Sequence, residues 1–135
     1  MDCGARLARA KERLDALDYY PEPVRIQSVR VVVASLFFRL LYPRFAGLAL
    51  TRRLILMRRA DYSDDLLTHE LCHLWQVQQD GLLKTCRAYL MNKYEENPYE
   101  VEARMAVVGM RRSDVPPGYR VVLGIERLLP AKEGE

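Results

Sequence analysis

Histidine occurs only twice in the 135 residues, and the two stand four apart in the stretch His69-Glu70-Leu71-Cys72-His73. This H-E-x-x-H pattern restricts the local fold. On an α-helix, positions i and i+4 lie on one face, one turn apart, so both imidazoles can reach a single zinc ion. Glu70 would stand beside that ion, where it can take a proton from an attacking water. The flanking sequence favours a helix over 64–80. Leu67, Leu71, Leu74 and Val77 make an apolar stripe beside the histidine face. Ser63 suits the N-cap, Asp64 and Asp65 complement the helix dipole in the first turn, and Gly81 suits the C-cap. A packed or surface pair of histidines is the plainer alternative.

A catalytic zinc takes three protein ligands and keeps one position open. With no third histidine, the remaining ligand must be a carboxylate or thiolate. Asp80, Glu95, Glu96, Glu100 and Glu102 are the candidates near the motif. Asn97-Pro98 marks a helix start, asparagine capping and proline filling the first position without loss of an amide hydrogen bond. This helix is expected to run to about Met110. Glu100 is favoured as the ligand because it projects from a rigid, capped start, although an acid at a helix N-terminus also suits the dipole. Glu102 points about 200° away around the same helix, so only one of the two can face the metal. Cys72 lies off the ligand face and reads as a packed thiol.

The rest of the chain reads as one α+β domain covering 1–135. Residues 2–18 form an N-terminal helix, with Leu7, Ala10, Leu14 and Leu17 at helical spacing, expected to pack over the sheet. Tyr19-Tyr20-Pro21-Glu22-Pro23 ends it. Residues 24–57 are the sheet region. Val24 to Val33 reads as a strand, Ala34 to Tyr42 as a buried short helix or second strand, and Leu48–Leu50 with Leu54–Met57 as a hairpin after a turn at Phe45-Ala46-Gly47. The strand Leu54–Met57, if at an edge, could pair with an extended peptide; a plain core hairpin is the alternative. Residues 64–110 hold the zinc helices, including one from Leu82 to about Lys93 whose apolar face is Leu82, Leu83, Cys86, Tyr89 and Leu90. Ser113 to Gly118 reads as a loop, Tyr119 to Leu123 as a strand, and the chain from Ala131 as a frayed tail.

Composition narrows the partners. The net charge is +3, and the arginines are scattered without a run of five like charges, so no nucleic-acid partner is expected. A diffuse basic face leaves peripheral membrane contact as an alternative. The apolar stretch from Val31 to Leu50 is interrupted by Arg39, Pro43 and Arg44, so no transmembrane segment is expected. Three widely spaced cysteines and the absence of a signal-peptide pattern point to a reduced, cytoplasmic setting.

Two stretches, Leu67-Thr68-His69-Glu70-Leu71-Cys72-His73-Leu74-Trp75-Gln76 and Asn97-Pro98-Tyr99-Glu100-Val101-Glu102-Ala103-Arg104, resemble the gluzincin zinc metallopeptidases, particularly the short bacterial domains called minigluzincins. The resemblance covers about Gly47 to Met110. It implies a zincin-like fold: a small antiparallel or mixed sheet, the motif helix, and a following helix that carries the third ligand. It implies one catalytic Zn²⁺ held by His69, His73 and Glu100, with Glu70 as general base in hydrolysis of a peptide or protein substrate. Many relatives place an aspartate four residues after the ligand glutamate, where this chain has Arg104. An oxyanion also needs a donor, and with both histidines committed the candidates are Tyr94, Tyr99, Tyr119 and Arg104. A zinc-binding peptide-recognition or regulatory module without turnover, or a purely structural domain, is the alternative to an enzyme.

Overall fold

The computed structural model describes residues 3–91, 97–117, 119–122 and 127–130, the side chains of the last two segments excepted. The element order is α1 (Cys3–Asp15), β1 (Arg30–Val33), α2 (Ser35–Leu41), β2 (Gly47–Ala49), β3 (Leu54–Met57), α3 (Asp64–Asp80), α4 (Leu82–Met91), α5 (Pro98–Val107), β4 (Tyr119–Val122) and β5 (Arg127–Pro130). The protein is therefore α+β. The expected continuation of the helix from Leu82 beyond Met91, the residue Leu123 and the tail from Ala131 lie outside the described residues, as do Tyr94, Glu95 and Glu96.

Helix α3 occupies the span its caps predict. Ser63 is extended and its hydroxyl accepts from the Leu66 amide at 3.0 Å, while Gly81, at φ 87°, closes the other end with its N–H on Val77 carbonyl. A left-handed φ is cheap only for glycine, so the helix stops there. Its stripe of Leu67, Leu71 and Leu74 is fully buried and meets Ile55 and Met57 of β3 in the core. In α5, Asn97 caps through its side-chain oxygen to the Tyr99 amide at 2.9 Å and Pro98 begins the helix.

Helix α1 packs on α3 rather than over the sheet. Leu7, Ala10 and Leu14 are buried against it, and the arginines of the same helix reach its acidic first turn: Arg6 and Arg9 lie 3.2 and 2.8 Å from Asp64, and Arg13 lies 3.1 Å from Asp65. The charges are half-buried or exposed, so the apolar contact carries most of the stabilisation and the ion pairs fix orientation. Sequence periodicity could identify the buried face of α1 but not what would cover it.

The three-stranded sheet has the order β1-β3-β2, β1 parallel and β2 antiparallel to β3. The strand read from Val24 shortens to Arg30–Val33. Residues around Arg25 are instead tied to α3, where Gln78 accepts from the Arg25 amide at 2.9 Å and donates to its carbonyl at 2.8 Å. Two bonds from one side-chain amide replace a ladder and hold the chain off the sheet. The strand before the motif helix, β3, is central; the edge near the motif is β2, which begins at Gly47. The segment Ala34–Tyr42 is largely exposed: Phe38 is its buried residue, while Leu36, Leu40 and Leu41 are each more than 60 % exposed. No helix among the described residues is long and apolar enough to cross a membrane.

The single tryptophan, Trp75, joins these parts. It is buried, stacks on Tyr19 at 6.0 Å and meets Tyr20 edge-on at 5.1 Å, and its indole N–H donates to the Glu22 carbonyl at 2.9 Å. The proline-broken segment after α1 is thereby folded over the back of α3.

Candidate metal centre

One face of α3 presents His69 and His73, and the start of α5 presents Glu100 to them. The two imidazole Nε2 atoms are 3.2 Å apart. Glu100 spans them, with Oε1 2.9 Å from His69 Nε2 and Oε2 3.0 Å from His73 Nε2. Bonds of about 2.0–2.1 Å to a tetrahedral zinc imply donor–donor edges of about 3.3 Å, so these separations suit one ion with little movement. His69, Glu70 and His73 also bring their donor atoms within 4.8 Å of one another, a group able to hold a metal ion.

The electrostatics bind the cluster together. Burial alone would raise the Glu100 carboxyl, but hydrogen bonds with His69 and His73 outweigh it and hold the group far below the usual carboxylate range. Burial alone would lower His73, but the Glu100 hydrogen bond and the nearby Glu70 and Glu100 charges raise it to about 9. A metal ligand must be a neutral imidazole, so binding must release the His73 proton. Below about pH 9, zinc affinity is therefore expected to rise by about tenfold per pH unit. Competition titrations against a chelator at several pH values check this, and a flat profile between pH 6 and 8 would contradict it. Glu70 is raised by burial, which makes it a stronger proton acceptor than an exposed glutamate.

A buried glutamine fixes the orientation of His73. Gln76 donates from Nε2 to the Tyr99 carbonyl at 2.8 Å, which can only accept. Its oxygen then faces His73 Nδ1 at 2.8 Å, and that nitrogen carries the hydrogen. Nε2 is left to face Glu70 and Glu100, as a metal-ligating histidine requires. Residue 76 follows His73 by three and so shares its face, but only the packing of α5 shows which carbonyl aligns the amide. Gln76→Leu is expected to lower zinc affinity by about 10–100-fold with the fold intact. Isothermal titration with zinc alongside circular dichroism would measure it; unchanged affinity would remove the orienting role.

The other expected participants separate clearly. Glu102 points elsewhere: its Oε2 accepts from Arg112 at 2.6 Å. Asp80 accepts from the Tyr99 hydroxyl at 2.7 Å, which turns Tyr99 away from the cluster. Cys72 is fully buried, and burial pushes its thiol well up, so it stays protonated and packed. Arg104 lies beside the cluster, its Nε 3.8 Å from Glu100 Oε1. Tyr94 is outside the described residues, as is the side chain of Tyr119. Tyr89 enters unexpectedly, its hydroxyl 3.4 Å from His73 Nδ1.

Two clefts meet at the cluster. One, of about 380 Å³, is lined by Arg44, Gly47, Asp65, His69, Glu70 and Arg104, among others. The other, of about 470 Å³, has walls of Tyr42, Leu48, Leu50, Leu82, Tyr89 and Leu90. Leu82, Cys86, Tyr89 and Leu90 of α4 thus line a cleft instead of filling the core, and Leu83 is 86 % exposed. Edge strand β2 borders both clefts. A Cβ on Gly47 would come within 3.1 Å of Glu70 Cγ, so the absence of a side chain there lets the strand close on the glutamate. Comparison with protein-family models, curated proteins and solved structures finds no match to this chain.

Proposed function

We propose that the protein is a zinc-dependent, zincin-like metallopeptidase of the gluzincin type, with His69, His73 and Glu100 as ligands and Glu70 as general base. The observation that carries this reading is the three-donor cluster opening onto a groove beside an edge strand, with Glu70 in the groove wall. A zinc ion held there would supply Lewis acidity and lower the pKa of a water. Burial of Glu70 suits it to receive the proton of the attacking water and to deliver it to the leaving amine. Strand β2 offers main-chain groups on which an extended peptide can align. Gln76 holds His73 in the ligating tautomer.

The rival reading, a zinc module without turnover, calls for a fourth side chain closing the site. Among the described residues, Cys72 and Glu102 are the neighbours that could close it, and they are engaged with Gln76 and Arg112 instead. That favours an open position and turnover. The test is to strip the protein of metal, restore one equivalent of zinc, and follow new amino termini in casein by mass spectrometry. Cleavage that requires zinc supports the proposal. Stoichiometric zinc without cleavage of casein or of a random peptide library would overturn the peptidase reading and leave the metal centre standing.

A further inference from the structure

The two clefts differ in chemistry. Two arginines, Arg44 and Arg104, line the 380 Å³ cleft. Among the described residues, the buried Nε of Arg104 has no hydrogen-bond partner, and Glu100 lies 3.8 Å away with its oxygens committed to the imidazoles. Arg44 is exposed and has no ion pair among the described residues. Asp65, which also lines this cleft, is paired with Arg13 at 3.1 Å. Among the described residues, the 470 Å³ cleft has no arginine or lysine in its walls. A planar guanidinium with free donors matches a carboxylate, and two in one cleft can share its oxygens.

We propose that Arg44 and Arg104 form a subsite for a substrate carboxylate, on the C-terminal side of the scissile bond. This rests on the peptidase reading. The direction follows from β2, which runs from Gly47 beside the cationic cleft towards Leu50 in the apolar one. A peptide added antiparallel to β2, the slightly more stable pairing, enters through the apolar cleft and leaves past the arginines. The preferred substrate therefore carries apolar side chains before the cut and an acid after it. That acid is either an aspartate or glutamate side chain or the chain's own terminal carboxylate.

The test uses fluorescein-labelled peptides sharing the sequence Leu-Phe-Ala-Ala, continued as Glu-Ala-amide, Gln-Ala-amide, or Gln-Ala with a free carboxyl end. Binding is read by anisotropy with the zinc-loaded Glu70→Gln protein, and cleavage with the wild type. At least one acid-bearing peptide is expected to bind about tenfold or more tightly than the neutral amide. Which of the two does so identifies the source of the carboxylate. The preference should collapse in Arg104→Gln and weaken in Arg44→Gln; the latter changes an exposed side chain and so protects the test against misfolding. With wild-type Glu70, Arg104→Gln should raise KM for the acidic peptide and leave kcat unchanged, whereas an oxyanion donor would lower kcat. Products should carry the acid in the C-terminal fragment. Equal binding of acidic and neutral peptides, or an acid retained in the N-terminal fragment, would overturn the subsite. Acid-selective binding without cleavage would instead overturn the peptidase reading alone.

Discussion

Glu70→Gln is expected to lower peptide hydrolysis by about 10²–10⁴-fold, the range contributed by a positioned general base, while zinc still binds stoichiometrically. Glutamine keeps the size and shape of glutamate, so the close fit under Gly47, where a Cβ would stand 3.1 Å from Glu70 Cγ, is preserved. The change removes the ability to take up the proton of the attacking water. It also removes a buried carboxylate whose ionisation is disfavoured by its surroundings, so folding stability should hold or rise. Zinc content by mass spectrometry and initial rates on one peptide test both halves. Retained activity would show that Glu70 is a bystander; loss of zinc would show that it acts as a ligand.

Glu100→Ala is expected to have the largest effect on both the metal centre and the metal-free fold. Glu100 is 1 % exposed and is the shared partner of two imidazoles. Removing one member of a buried ion pair costs about 3–5 kcal/mol, because the remaining charge stays buried without compensation. The cost depends on pH with a definite sign. His73, raised to about 9, contributes stability in full below its unfolded value near 6.5 and loses it as pH rises through 9. Glu100, depressed, contributes in full above its unfolded value near 4.5 and loses it as pH falls. The penalty for Glu100→Ala should therefore be greatest between about pH 5 and 6.5 and shrink above pH 9. Urea unfolding of metal-free wild type and variant at pH 6 and pH 9.5 would measure this. Glu102→Ala is the control and should keep its zinc, since that carboxylate pairs with Arg112. If Glu102→Ala lost zinc and Glu100→Ala did not, the ligand assignment would be reversed.

The parts of this arrangement legible in the sequence are those set by local chemistry. Ser63 and Gly81 bracket α3 because a hydroxyl cap and a left-handed glycine act within a few residues, and Asn97-Pro98 opens α5 for the same reason. The spacing of His69 and His73 needs nothing beyond helix geometry. What depends on distant partners could not be read in advance. The apolar residues of α4 look like a core face, yet Leu82 and Leu90 border a cleft because no element among the described residues covers them. Val24 to Val29 have strand character, yet Gln78 holds that segment on α3. Gln76 looks like an ordinary helix residue until the Tyr99 carbonyl from α5 fixes which way its amide points. Supporting groups are harder to foresee than ligands because they are selected by a neighbour in space.

The setting of Trp75 has a practical consequence. As the chain's one indole, it gives the protein a built-in optical gauge at a single address. It sits between His73 and Gln76 on the helix, yet its ring faces Tyr19, Tyr20 and the Glu22 carbonyl. Its emission therefore reports whether the segment after α1 is seated. A red shift that precedes the loss of helical circular dichroism would mean that this strap lifts first, leaving the histidine helix standing.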